Sequence, residues 1–154
     1  MPGRRVLPRV PVRVPRDAQC RYYVNTNFFV DLEEGRPGAV GFARRRRGLC
    51  TSTLLVWEYR EEGLGWLARR LAREYRIGIV WVPVLRVARL VRERIAPRAG
   101  WNTRLDYAHI LVALSTPGIR TFVTSDRDTC RRALRHGLYC LNHRTGEEYA
   151  PPQG

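Results

Sequence analysis

Only five aspartates occur in the 154-residue chain, at Asp17, Asp31, Asp106, Asp126 and Asp128, so where they fall is informative. Asp126 and Asp128 come at the carboxyl end of a predicted strand, Thr121–Thr124. Asp106 lies in the first turn of a predicted helix, where the helix dipole favours a carboxylate. Glu58 sits between Trp57 and Tyr59 in a largely apolar segment. An acid there needs a partner or a metal, because burying it alone is costly. Asn25 and Asn27 close the first predicted strand, on the same sheet edge. Taken singly, Asp126 and Asp128 read as turn and N-cap residues, and Glu58 as the partner of one of many arginines. Taken together, Glu58, Asp106 and Asp126 each belong to an element whose end could meet the end of the first strand.

Other chemistries find no support in the residue pattern. His109 follows Asp106 by three residues and shares its helix face; it reads as a core-edge imidazole before a phosphate or metal contact. His136 and His143 form no constellation. Nothing resembles a Ser-His-Asp or Cys-His nucleophile, a P-loop or a dinucleotide-binding glycine motif. Cys20, Cys50, Cys130 and Cys140 include no closely spaced pair of the kind zinc sites use. They read as buried thiols, or as a Cys20–Cys140 bridge should those two lie on neighbouring strands. Trp57, Trp66 and Trp81 are expected in the core, whereas Trp101, flanked by Pro97 and Gly100, is the best candidate for a base-stacking surface.

The elements that must position these residues alternate between strand and helix. Arg21–Val30 has the Tyr, Val and Phe content of a buried strand and runs into a helix near Asp31. Thr51 or Ser52 can cap a helix carrying Leu54, Leu55, Glu58 and Tyr59. Leu64, Leu67, Leu71 and Tyr75 form one helical stripe opposite Arg69, Arg70 and Arg73. Ile77–Val82 predicts a strand, and Pro83 opens a helix with Val84, Val87, Val91 and Ile95 on one face. Asn102 or Thr103 starts the helix of Tyr107, Ile110, Leu111 and Leu114. Asp128 or Thr129 caps a helix to Arg135, and Leu138–Leu141 predicts the last strand. Such alternation implies crossover connections, a parallel sheet and an α/β fold. Ligands then sit beyond the carboxyl ends of the strands.

The charge balance is lopsided. All 28 cations are arginine against 14 acids, for a net charge of +14 and a pI near 11.0. That excess suits a polyanion, nucleic acid before an anionic membrane; an all-arginine set is also what heat adaptation or codon bias produces. No apolar run reaches the roughly 18–20 residues of a transmembrane helix, and Pro8, Pro11 and Pro15 interrupt any signal-peptide core. The expectation is a cytoplasmic protein with no membrane partner. Residues 1–20 read as an extended, solvated Pro/Arg-rich arm, 21–142 as one domain and 143–154 as a flexible tail.

The order of motifs resembles the PIN-domain family of metal-dependent ribonucleases. Tyr23-Val24-Asn25-Thr26-Asn27-Phe28-Phe29 is similar to the family's first-strand signature, and Thr53-Leu54-Leu55-Val56-Trp57-Glu58 to its helical Glu. Leu105-Asp106-Tyr107-Ala108-His109-Ile110 is similar to its third-acid helix, and Phe122-Val123-Thr124-Ser125-Asp126-Arg127-Asp128 to its Thr-x-Asp-x-Asp motif. The family's first acid falls on Asn25, which keeps a carbonyl oxygen but removes a full negative charge.

The resemblance implies a three-layer sandwich with a central, mostly parallel sheet flanked by helices. It implies a divalent-metal-dependent endoribonuclease, with Glu58, Asp106 and Asp126 holding Mg²⁺ or Mn²⁺, Asp128 as a fourth or outer ligand and Asn25 as a neutral oxygen donor. Such an ion would activate water and neutralise charge on the scissile phosphate. Thr124 or Ser125 would orient a ligand or the phosphate. RNA would be held by the exposed run Arg44, Arg45, Arg46 and Arg47. Because Asn25 stands at an acidic position, the alternative is a catalytically degenerate module that binds RNA or a protein partner such as an antitoxin. Family roles in toxin–antitoxin pairs and RNA processing, and homodimers, belong to the same expectation.

Overall fold

A computed structural model describes residues 6–153. Its chain alternates β1 (Tyr22–Val24), α1 (Thr26–Glu33), α2 (Pro37–Arg45), β2 (Leu49–Ser52), α3 (Thr53–Glu61), α4 (Gly65–Glu74) and β3 (Gly78–Val80). It continues through α5 (Val84–Leu90) with a π-helical extension (Val91–Ile95), then α6 (Trp101–Ser115), β4 (Thr121–Val123), α7 (Arg127–Arg135), β5 (Tyr139–Leu141) and β6 (Glu148–Tyr149). The strands form one sheet in the order β3-β2-β1-β4-β5-β6. Helical crossovers make β1 to β5 parallel, and the short return from β5 leaves β6 antiparallel.

Alternation along the strands divides the core into two. Tyr23, Cys50, Val80 and Phe122 pack with Val87 of α5, Ile110 and Leu111 of α6 and Ala133 of α7. Their strand neighbours Val24, Leu49 and Val123 pack with Phe28 of α1, Phe42 of α2, Leu55 of α3 and Leu71 of α4. Successive strand residues point to opposite faces, so helices cover both. The result is an α/β fold with a six-stranded, mostly parallel sheet.

Several expectations change at this level. The first strand ends at Val24, and Asn25 is the N-cap of α1. Leu49–Ser52 is a strand rather than a helix cap alone, and Pro37–Arg45 is a helix despite two glycines. Arg4 and Arg5 of the arm lie outside the described residues. The rest of the arm is not solvated throughout: Leu7 and Val10 are buried and Arg13 exchanges two 2.9 Å backbone hydrogen bonds with Trp81 beside β3, while Val6, Arg9 and Arg16 are exposed. Leucine and valine between the prolines let an extended segment cover an edge strand, which would otherwise be open to pairing.

The tail is not flexible throughout either. His143 is buried, and Glu148–Tyr149 pairs with β5. The disulfides are Cys20–Cys50 and Cys130–Cys140, with Cα separations of 5.5 and 5.6 Å. A Cys20–Cys140 bridge fails because β4 intervenes between β1 and β5. No helix among the described residues is long and apolar enough to cross a membrane.

Candidate functional site

The parallel strands bring Asn25, Ser52 and Thr124–Asp126 to one edge, just beyond the carboxyl ends of β1, β2 and β4. Between β1 and β4 the strand order reverses, the place where open α/β sheets leave a crevice. Here Thr124 organises the backbone. Its buried Oγ1 accepts from Asn27 Nδ2 at 3.0 Å, Asn25 Nδ2 at 3.3 Å and the Asp126 amide at 3.1 Å. It therefore orders neighbouring side chains. The Ser125 amide donates to Asn27 Oδ1 at 3.4 Å. Asn25 is buried, and its Oδ1 has no partner among the described residues.

Glu58 reaches the same edge from α3. Its Oε2 accepts from Thr26 Oγ1 at 2.6 Å, and its Oε1 lies 2.5 Å from His109 Nε2. The other ring nitrogen, Nδ1, lies 2.6 Å from Tyr23 Oη, which is 2.8 Å from Ser52 Oγ. An ionised Glu58 accepts only, so His109 carries its proton on Nε2 and accepts a hydrogen bond from the Tyr23 hydroxyl at Nδ1. Ser52 then donates to Tyr23. Every group in this relay is satisfied, and burial raises the Tyr23 pKa well above its ordinary value. The partner foreseen for Glu58 was an arginine or a metal; the structure supplies a histidine and a threonine instead. His109 takes the core-edge role.

Asp106 forms an ion pair with Arg132 of α7 at 3.1 Å. Burial pushes its carboxyl pKa up, while a hydrogen bond from Thr129 and the charge of Arg132 draw it down; Asp126 adds to the rise. Asp126 and Asp128 are both exposed. Asp126 is the N-cap of α7, its Oδ1 accepting from the amides of Asp128 at 2.8 Å and Thr129 at 3.1 Å. The cap thus falls on Asp126 rather than on Asp128 or Thr129.

Among the described residues no three His, Cys, Asp or Glu side chains gather to hold a metal ion. Three acids of the expected set have protein partners: Thr26 and His109 on Glu58, Arg132 on Asp106, the α7 amides on Asp126. To hold Mg²⁺ or Mn²⁺, which take several carboxylate oxygens around one point, Glu58 would have to exchange these partners for the ion.

The basic run lies elsewhere. Arg44–Arg47 join α2 to the amino end of β2, the opposite sheet edge. Arg46 stacks on Tyr22 and Phe42, 5.8 and 5.5 Å from their ring centroids, and donates to Tyr22 Oη at 3.0 Å. Arg47 instead lines a cleft of about 680 Å³ with Arg21, Arg73 and Arg76. Residue spacing gave no signal for Arg132, and showed Ser52 only as a helix cap and Tyr23 only within the first-strand signature. Thr26 was visible only as part of the first-strand signature. Comparisons with family models, curated proteins and solved structures give no match for this chain.

Proposed function

We propose that this chain is a PIN-like domain that binds RNA through its arginine surface without hydrolysing it. One observation carries the non-catalytic part: the carboxyl-edge network is closed on itself. Glu58 is engaged at both oxygens by Thr26 and His109, and the neutral Asn25 stands where the family places an acid. A net charge of +14 and the arginine-lined cleft at the amino edge support a polyanionic ligand.

The second reading, a Mg²⁺- or Mn²⁺-dependent endoribonuclease, is favoured by Asn25 Oδ1, a buried oxygen with no donor among the described residues, and by Asp126 acting on Asp106. It requires Glu58 to exchange His109 for an ion.

Calorimetric titration with Mn²⁺, run beside a cleavage assay on mixed single-stranded RNA, decides between them. The expected outcome is salt-sensitive RNA binding with no saturable metal heat at millimolar Mn²⁺ and no cleavage. Asp126→Asn, which retains the ability to cap α7, should then bind RNA like the wild type. Metal-dependent cleavage that disappears in Asp126→Asn would replace the first reading with the second.

A further inference from the structure

All four tryptophans of the chain gather on one surface. Trp57, Trp66 and Trp81 line a cleft of about 650 Å³ that follows the outward stripe of α3, together with Arg60 and Arg69. Trp101, at the start of α6, stands 5.9 Å from Trp57 between ring centroids. Trp66, Trp81 and Trp101 are 60%, 45% and 58% exposed. Side chains of this size are normally buried for the apolar area they remove from water. Here the fold leaves three of them open to solvent.

The charged side chains that line the cleft, Arg60 and Arg69, are both cationic. Arg60 and Arg69 are exposed and form no ion pair among the described residues. The Arg13 guanidinium lies 5.2 Å from the centroid of the Trp81 ring, and no Asp or Glu lines the cleft. An apolar protein partner would require these arginines to be desolvated or matched by acids. A single-stranded nucleic acid matches both features at once, offering flat bases to the rings and phosphates to the guanidinium groups. Duplex RNA matches only the second, because its bases are already stacked. The cleft also adjoins the carboxyl-edge network: Trp57 precedes Glu58 in α3, and Trp101 begins the helix that carries Asp106 and His109.

We propose that the tryptophan–arginine cleft along α3 is a stacking platform for unpaired bases of single-stranded RNA. This rests on the RNA-binding reading and gives it a place and a strand preference.

The test uses a fluorescein-labelled oligouridylate, with a duplex of equal length as the second probe. Wild-type protein should bind the single strand with quenching of tryptophan emission. Trp66→Ala, which removes a mostly exposed ring and leaves the core untouched, should weaken single-strand binding about tenfold. It should leave the salt slope and duplex binding unchanged, and Trp66→Phe should recover most of the loss. Trp101→Ala should behave in the same way. Arg69→Ala should instead reduce the salt slope by about 0.7. Thermal melts of each variant superposing on wild type would confirm that the fold is intact. If the wild type binds the single strand while Trp66→Ala and Trp101→Ala bind it equally well, the platform is overturned and the RNA-binding reading stands. If the wild type binds neither probe at any salt concentration, both fall together.

Discussion

Asp31 is 1% exposed, yet it is held ionised, because two arginines and a histidine converge on it. Arg144 donates to both of its oxygens at 2.7 and 2.8 Å, His143 Nε2 lies 2.8 Å from Oδ2, and Arg36 lies at 3.4 Å. The Arg144 pairing depresses the Asp31 pKa, and burial depresses that of His143. Both shifts act in one direction. The unfolded chain takes up a proton at His143 near pH 6.5 and at Asp31 near 3.8, where the folded chain resists. The stability these groups contribute is therefore complete above about pH 6.5 and lost in two stages as the pH falls. Melting temperatures recorded from pH 8 to 5 should fall over the lower half of that range, and His143→Gln should flatten the decline; an unchanged profile would refute the assignment. Asp31→Ala leaves the buried His143 without its acceptor while Arg144 and Arg36 stay open to water, and should cost about 1–3 kcal/mol in urea denaturation. Asp31 and Glu58 also mark how far the site was legible. That Glu58 needed a partner followed from its apolar neighbours. That the partner was His109, 51 positions away, depended on how α3 and α6 settle against β1.

The contrast between α1 and α2 shows how elements were read and misread. Aromatic and β-branched residues from Tyr22 to Val30 favour a strand, but Phe28, Phe29 and Leu32 are all buried in one cluster as a helical face, so tertiary packing prevails. The α2 segment was hidden by Gly38 and Gly41, both unfavourable in a helix. Gly38 has a structural reason to be there: a Cβ would lie 2.5 Å from the His143 carbonyl oxygen, where the C-terminal segment crosses the helix. Gly41 faces only the end of the flexible Arg45 side chain. Gly41→Ala should therefore stabilise the protein by up to about 1 kcal/mol through helix propensity, whereas Gly38→Ala should destabilise it; equal shifts in urea midpoint would contradict this. Tail crossings and strand order depend on contacts between distant segments, which periodicity does not encode. The disulfides missed at the sequence level depend on the same order. Cys20–Cys50 spans 30 residues and Cys130–Cys140 spans 10. On the chain-entropy account, reduction should cost about 3–4 kcal/mol for the first and somewhat less for the second. Denaturation with and without reductant measures the sum.

At the scale of the whole molecule the two sheet edges carry different chemistry. The carboxyl edge holds the hydrogen-bonded acid network with the tryptophan cleft beside it, while the amino edge presents Arg21, Arg47, Arg73 and Arg76 around one depression. Phosphate contacts of the second kind carry no base information and release counterions, so their signature is a slope in log affinity against log salt. Each phosphate neutralised on a single strand contributes about 0.7 to that slope. Arg46 is committed to Tyr22 and Phe42 and should add little, whereas Arg47 and Arg73 face the cleft. The double substitution Arg47→Ala with Arg73→Ala should therefore lower the slope for a long single-stranded RNA by about 1.4, while Arg46→Ala leaves it near wild type. A short oligonucleotide that fills only the tryptophan cleft should not register the double change. If the slope responds equally to any exposed arginine, binding follows from net charge alone and the amino-edge cleft has no special part in it. A loss confined to Arg47 and Arg73 would mean that the strand runs from one edge of the sheet to the other, with bases held at one end and backbone at the other.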